Sequence, residues 1–219
     1  MKLVFQRTAL ALVLATGTLT TLTACFPLAV GGAVVGGMVA ADRRTTGTVV
    51  EDEGIELRAA ARIRESLGER GHVNVTAYNR QALITGEVPN AQDRQLVEQI
   101  VGNVDNVRHI VNELAVLGNS TLSQRSSDAL VSGKVRAALV DTRELSANAF
   151  KIVTERGVTY VMGRVTAREA KMATDVISSV SGVQKVVRIL ETISEDELAR
   201  MMAPPSQQTG SPKADYKPE

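Results

Sequence analysis

The segment "NVTAYNRQALITGEV", residues 74–88, consists of two runs of alternating apolar and polar residues around a short polar turn. The segment "KIVTERGVTYVMGRV", residues 151–165, has the same pattern and ends on the same Gly-x-Val. Alternation with a period of two, interrupted by a polar turn, predicts a β-hairpin. The sequence therefore predicts the same hairpin twice.

The repeat extends beyond the two hairpins. The segment "NVDNVRHIVNEL", residues 103–114, matches "SVSGVQKVVRIL", residues 179–190. The offset is 77 residues between Gly86 and Gly163 and 76 residues between Val104 and Val180. One residue has been gained or lost between the hairpin and the later segment, as expected for two copies of one structural unit.

Helical spacing surrounds each hairpin. Ile55, Ala59, Ile63 and Leu67 recur every four residues and predict a helix over 54–67, and its counterpart is expected over 128–140. A second helix over 91–102 and a final strand over 107–117 complete the first copy. The predicted fold class is α+β, with two tandem αββαβ units, each a small mixed sheet packed by two helices.

Gly86 and Gly163 occupy equivalent positions near the end of the second hairpin strand. Glycine at such a position indicates either that a Cβ atom would be obstructed or that the backbone needs a positive φ. Both residues are therefore predicted to be structural glycines.

The combined pattern resembles the BON domain family. The residues that carry the resemblance are "GTVVEDEGIELR" (47–58), "HVNVTAY" (72–78), "GEVPNA" (86–91) and "VMGRVTAREAKMATDVISSVSGV" (161–183). The resemblance implies two domains, at 53–118 and 126–194. It also implies phospholipid binding or interactions within the cell envelope, without any catalysed reaction.

The N-terminus has the pattern of a lipoprotein signal peptide. Lys2 and Arg7 precede an uncharged apolar run over residues 8–22. The tetrapeptide Leu22-Thr23-Ala24-Cys25 resembles the bacterial lipobox, in which the cysteine is acylated, for example with palmitate. This resemblance predicts a signal peptide over 1–24 and lipidation of Cys25. An uncleaved membrane anchor is the alternative, because the apolar residues between 8 and 41 are numerous enough to span a bilayer.

A glycine-rich segment follows Cys25, and residues 25–52 are expected to form a tether. Four glycines between residues 31 and 37 disfavour a stable helix, although Gly32 and Gly36 have the spacing of a weak helix-pairing motif. Asp42, Arg43 and Arg44 are expected at the lipid headgroups. Since Phe26 is not the aspartate of the inner-membrane retention signal, the resemblance implies anchoring in the outer membrane, facing the periplasm.

Composition argues against nucleic-acid binding and enzymatic chemistry. After the signal peptide, 23 basic residues face 24 acidic ones, aromatic residues make up 3% of the chain, and tryptophan is absent. His72 and His109 do not recur in the second copy, and the lone cysteine leaves no Cys/His ligand set. No catalytic residue, metal or cofactor is predicted. The proline- and serine-containing tail, residues 203–219, is expected to be disordered.

The charge of the two copies differs. Residues 54–117 carry 7 basic and 8 acidic side chains, whereas residues 128–193 carry 10 basic and 7 acidic ones. Because basic residues attract anionic lipid, the second copy is predicted to contact a lipid such as phosphatidylglycerol and thereby support envelope integrity. The predicted contact residues lie on its first helix: Leu130, Lys134, Val135, Arg136 and Val140.

Two questions remain open from the sequence. Val131, Val135, Ala138 and Leu139 form the stripe expected to pack on the sheet, and Leu130 could merely border that core. The whole chain could also be a structural adaptor that binds an outer-membrane assembly or division protein, with only incidental lipid contact.

Overall fold

The computed structural model describes residues 42–202 and contains two αββαβ repeats. The first repeat comprises α1 (Thr46–Leu67), β1 (His72–Tyr78), β2 (Gln81–Val88), α2 (Ala91–Gly102), β3 (His109–Asn112) and β4 (Ala115–Val116). The second comprises α3 (Leu122–Asp141), a 3-10 turn (Ala147–Ala149), β5 (Phe150–Glu155), β6 (Val158–Thr166), α4 (Ala167–Ser178) and β7 (Lys185–Ile193), followed by α5 (Glu195–Met202). The predicted signal peptide, the lipidated Cys25 and the tail over 203–219 lie outside the described residues.

Each repeat contains one mixed sheet, which confirms the predicted fold class. β1 pairs antiparallel with β2, and β3 and β4 pair parallel with β2. In the second repeat β5 is antiparallel and β7 parallel to β6. The strand predicted over 107–117 is divided into β3 and β4, and the side chain of Asn112 accepts a hydrogen bond from the Leu114 N–H between them.

Both first helices begin earlier than the apolar spacing indicates. α1 starts eight residues before Gly54, because the hydroxyl of Thr45 caps it by accepting from the Thr48 N–H at 3.2 Å. α3 starts six residues before Asp128, where Thr121 and Gln124 form a reciprocal capping box. The tether predicted over 25–52 is therefore too long, since residues 46–52 belong to α1.

The apolar stripes of the first helices form two cores, as predicted. Ile55, Ala59, Ile63 and Leu67 are buried against the first sheet. Val131, Val135 and Leu139 are buried against the second. These side chains fix which side of each helix faces its sheet and which side faces solvent.

A third core joins the repeats, because the sheet faces opposite the helices pack on each other. Tyr78 and Leu83 of the first sheet contact Tyr160, Met162 and Ile189 of the second. Leu83 is 0% exposed. β2 and β6 are consequently buried on both faces, whereas the predicted alternation accounts for one buried face in each hairpin.

Buried carboxylates hold the hairpin turns to the first helices. Asp52 accepts hydrogen bonds from the N–H groups of Asn79 and Arg80 at 2.8 and 2.7 Å. Both turn residues have positive φ angles, 51° and 65°, as in a type I′ turn. In the second repeat Asp128 accepts from Arg156 and Gly157 at 2.8 and 2.9 Å. In both copies an aspartate of the first helix thus binds two backbone N–H groups of the hairpin turn.

Ion pairs also connect the repeats. Arg43 donates to both carboxylate oxygens of Glu169, at 2.6 and 2.8 Å, and both side chains are 4% exposed. Arg43 is therefore part of the folded unit, and its expected position at the lipid headgroups is wrong. Arg156 donates to the buried Glu87 at 2.5 Å. Burial alone would raise the pKa of Glu87, but hydrogen bonds from Arg156 and Ser120 hold it below its ordinary value.

The two equivalent glycines meet different constraints. Gly86 has a φ of +110°, and a Cβ atom there would overlap the carbonyl oxygen of His72. Gly163 has no positive φ, but its Cβ would lie 2.6 Å from the carbonyl oxygen of Ala149. Both positions exclude a side chain because another backbone segment passes close by.

Candidate functional site

The first helix of the second repeat, α3, packs against the second sheet along one side. Its buried side carries Asp128, Val131, Val135 and Leu139. Asp128 fixes the helix to the β5–β6 turn, and Gly182 leaves space for the Val131 side chain, whose Cγ2 would lie 2.5 Å from a Cβ at that position. The opposite side of α3 is thereby oriented toward solvent.

The solvent-facing side of α3 carries several exposed apolar side chains. Leu122, Leu130 and Val140 are 78%, 69% and 64% exposed, and Ala129 and Ala137 are exposed beside them. At 100° per residue Leu122, Leu130, Ala137 and Val140 lie within about 80° of one another on the helix circumference. We call these four residues the outer face of α3.

The structure separates the predicted contact residues into two groups. Leu130, Lys134, Arg136 and Val140 are exposed on α3. Val135 is 0% exposed and packs in the second core, so its inclusion among the surface contacts is wrong. Leu130 does not border the core, because it lies on the solvent side of the helix.

Cationic side chains flank the outer face on both sides. Lys134 lies beside Leu130, and Arg136 lies toward the opposite flank. Among the described residues neither side chain has an ion-pair partner. An apolar strip between unpaired cations has the chemistry of a helix that lies at a lipid–water interface.

A cleft of about 420 Å³ adjoins the Arg136 flank. Arg125 and Arg136 line it from α3, Thr154 and Glu155 from β5, and Asn74 from β1. Asn74 donates to the Glu155 carboxylate at 2.7 Å, and burial raises the pKa of Glu155 above its ordinary value. Sequence spacing does not bring Arg125, Asn74 and Glu155 together, because they come from three elements of both repeats.

The two histidines occupy separate places. His72 begins β1, and its Nδ1 lies 3.5 Å from the buried Glu87 carboxylate. His109 begins β3 and is exposed. Over residues 42–202 no three His, Cys, Asp or Glu side chains are grouped as metal ligands would be. In that same range no helix is both long and apolar enough to cross a membrane.

Comparison with known proteins identifies both repeats. The chain matches the BON domain family over residues 52–118 and 127–192. It is 30% identical over 169 residues to the outer membrane lipoprotein DolP of Haemophilus influenzae, covering 76% of this chain and 88% of that protein. It is 28% identical over 154 residues to a 21 kDa hemolysin of Actinobacillus pleuropneumoniae, covering 69% and 79% of the two chains.

A solved structure is also similar. It is the C-terminal domain of CdsD, a structural protein of the type III secretion system of Chlamydia trachomatis. The match has 10% identity and a TM-score of 0.28, and it covers 61% of this chain and 96% of that one. The two matched ranges and the similarity to DolP over most of the chain show that this protein belongs to the BON domain family and carries two BON domains.

Proposed function

We propose that the protein is a non-enzymatic outer-membrane lipoprotein, anchored through Cys25 and facing the periplasm, whose second BON domain binds anionic phospholipid through the outer face of α3. The observation that carries this proposal is the exposure of Leu122, Leu130 and Val140 on a helix whose opposite side is fixed in the core. The similarity to an outer membrane lipoprotein supports the anchor and the location.

The charge of the second repeat supports an anionic lipid. Lys134 and Arg136 flank the outer face, and each basic residue near an anionic surface contributes about 1 kcal/mol of attraction. Insertion of Leu130 below the headgroups would add about 1.5–3 kcal/mol through burial of its side chain. Binding to phosphatidylglycerol in this way would support envelope integrity by holding the folded unit against the membrane.

The test requires both repeats. The isolated second repeat would expose Tyr160, Met162 and Ile189, which are buried against the first sheet. A chain beginning at Ala40 contains all of the described residues, 42–202, and all three cores, and it lacks Cys25 and the predicted signal peptide. We refer to this chain as the soluble unit.

The change to test is Leu130→Glu in the soluble unit, with Leu57→Glu as the matched control. Leu57 is 73% exposed and lies on α1 of the first repeat. Sedimentation with phosphatidylglycerol vesicles should show at least about tenfold weaker binding for Leu130→Glu, since apolar burial is lost and a negative charge is added. Leu57→Glu should bind as the unmodified chain does, and both variants should keep its melting temperature.

Salt and lipid charge provide a second measurement. Binding of the unmodified soluble unit should weaken as ionic strength rises, because salt screens Lys134 and Arg136 from the lipid. Phosphatidylcholine vesicles should bind it more weakly than phosphatidylglycerol vesicles. Equal binding by folded Leu130→Glu and unmodified chain would reject the outer face of α3 as the lipid contact.

A further inference from the structure

Each repeat has a groove between its first helix and its first strand, but the two grooves differ. In the first repeat Glu53, Leu57 and Ala60 of α1 face Val73 and Val75 of β1 across a groove of about 430 Å³. We call it the α1–β1 groove. The equivalent groove of the second repeat is the cleft beside Arg136. Asp52 and Asp128 are equivalent and 76 residues apart, which places Ala129 and Gly133 at the positions of Glu53 and Leu57.

The second groove is lined by residues of both repeats, whereas the α1–β1 groove is not. His72 and Asn74 form one wall of the second groove, and Asn74 is bonded to Glu155 across it. The α1–β1 groove is lined entirely by residues of the first repeat. Of these two grooves, the α1–β1 groove is therefore the one formed within a single repeat.

The strand that borders the α1–β1 groove has an unpaired edge. β1 pairs with β2 on one side. On the other side the Ala77 N–H donates to Glu56 at 2.7 Å, and the Ala77 carbonyl accepts from Lys151 at 3.1 Å. In an antiparallel pair the backbone groups alternate in direction, so those of Val73 and Val75 also point away from β2. Within residues 42–202 these outward groups have no backbone partner.

The groove combines apolar contact with negative charge. Leu57 is 73% exposed at its rim, and Ala60 lies one turn further along α1. The Glu56 carboxylate already has an ion-pair partner, because its Oε1 lies 2.5 Å from the Nζ of Lys151. Glu53 is exposed and, in the part of the chain that the structure describes, has no ion-pair partner. A ligand that pairs with the free backbone groups of β1, the apolar side chains and Glu53 would be an extended peptide. Its side chains would alternate between apolar and basic.

We propose that the first BON domain binds an extended basic segment of a partner protein as an added strand along the free edge of β1. Main-chain hydrogen bonds to Val73 and Val75 supply affinity, as in other cases of strand addition. An apolar side chain of the segment packs against Leu57 and Ala60, and a lysine or arginine pairs with Glu53. This site is distinct from the outer face of α3, so the protein can hold lipid and partner through different repeats.

The probe is a fluorescent seven-residue peptide of alternating lysine and valine, titrated into the soluble unit and followed by fluorescence anisotropy. Two further peptides carry N-methyl groups, one on all valine amides and the other on all lysine amides. Strand addition uses the amides of one peptide edge. We expect at least tenfold weaker binding for one methylated peptide and unchanged binding for the other. Equal effects of the two methylations would overturn the proposal in favour of simple charge attraction.

Substitutions locate the site. Glu53→Lys should weaken peptide binding at least tenfold, whereas Glu69→Lys, the same change at an exposed residue outside the groove, should leave it unaltered. Leu130→Glu should also leave peptide binding unaltered while it impairs vesicle binding, which separates this site from the lipid contact. Equal effects of Glu53→Lys and Glu69→Lys would refute the groove as the site.

Self-association is measured on the same samples. Sedimentation velocity should show a monomer at the concentration of the peptide assay. A dimer that Leu57→Lys dissociates would overturn the proposal, because the groove would then be occupied by a second copy of the chain.

Discussion

Replacing Leu83 with alanine should lower the free energy of unfolding of the soluble unit by about 3 kcal/mol. Leu83 is 0% exposed and contacts the second sheet, although it belongs to the first. The loss of three carbons accounts for about 2.4 kcal/mol at about 0.8 kcal/mol each. The remaining cavity accounts for the rest, because neighbours such as Tyr160 and Met162 are held by their own sheet.

Urea denaturation followed by circular dichroism measures this change, and Leu57→Ala is the control. Leu57 is 73% exposed, so the same substitution there should change the free energy of unfolding by less than about 0.5 kcal/mol. The unmodified soluble unit should unfold in one transition, because the sheets of the two repeats share a core. Similar effects of Leu83→Ala and Leu57→Ala would refute the packing of the two sheets on each other.

Three further predictions concern other sites. Cys25→Ala should abolish incorporation of a labelled fatty-acid analogue in cells, and label retained in the variant would contradict lipidation there. Gly163→Val should lower the melting temperature of the soluble unit because its Cβ would crowd the Ala149 carbonyl oxygen, and an unchanged melt would show that the strand adjusts freely. Glu155→Gln should raise the melting temperature at pH 8, since the raised pKa means that the ionised carboxylate destabilises the folded state. This gain in melting temperature should shrink as the pH falls toward the ordinary glutamate pKa of 4.5, because Glu155 becomes protonated in the folded and the unfolded chain alike. A difference that stays constant with pH would contradict this cause.

The local elements of this protein could be predicted from the sequence. The hairpins follow from alternation, and the buried stripe of α1, from Ile55 to Leu67, follows from four-residue spacing. Apolar spacing does not indicate the helix starts, because capping by Thr45 and Thr121 extends each helix beyond its apolar pattern. The sequence repeat indicates two copies of one structural unit, because the matching segments have the same spacing of apolar residues.

The site was only partly predictable. Helical spacing indicated that Leu130 lies off the core stripe, and the structure places it on the outer face of α3. Val135 belongs both to the predicted core stripe and to the predicted lipid contacts, and the structure buries it in the second core. Sequence shows the two sides of a helix, whereas tertiary packing decides which side is covered.

Only the tertiary structure decided how the two repeats meet. Periodicity describes one chain segment at a time, so it did not show that Leu83 and Met162 belong to one core. It did not pair Arg43 with Glu169 either, because these residues are 126 positions apart. Periodicity also did not show that residues of both repeats line the groove beside Arg136. Local sequence determined the strands and helices through their short-range spacing, and long-range packing determined which of their surfaces remain free to bind.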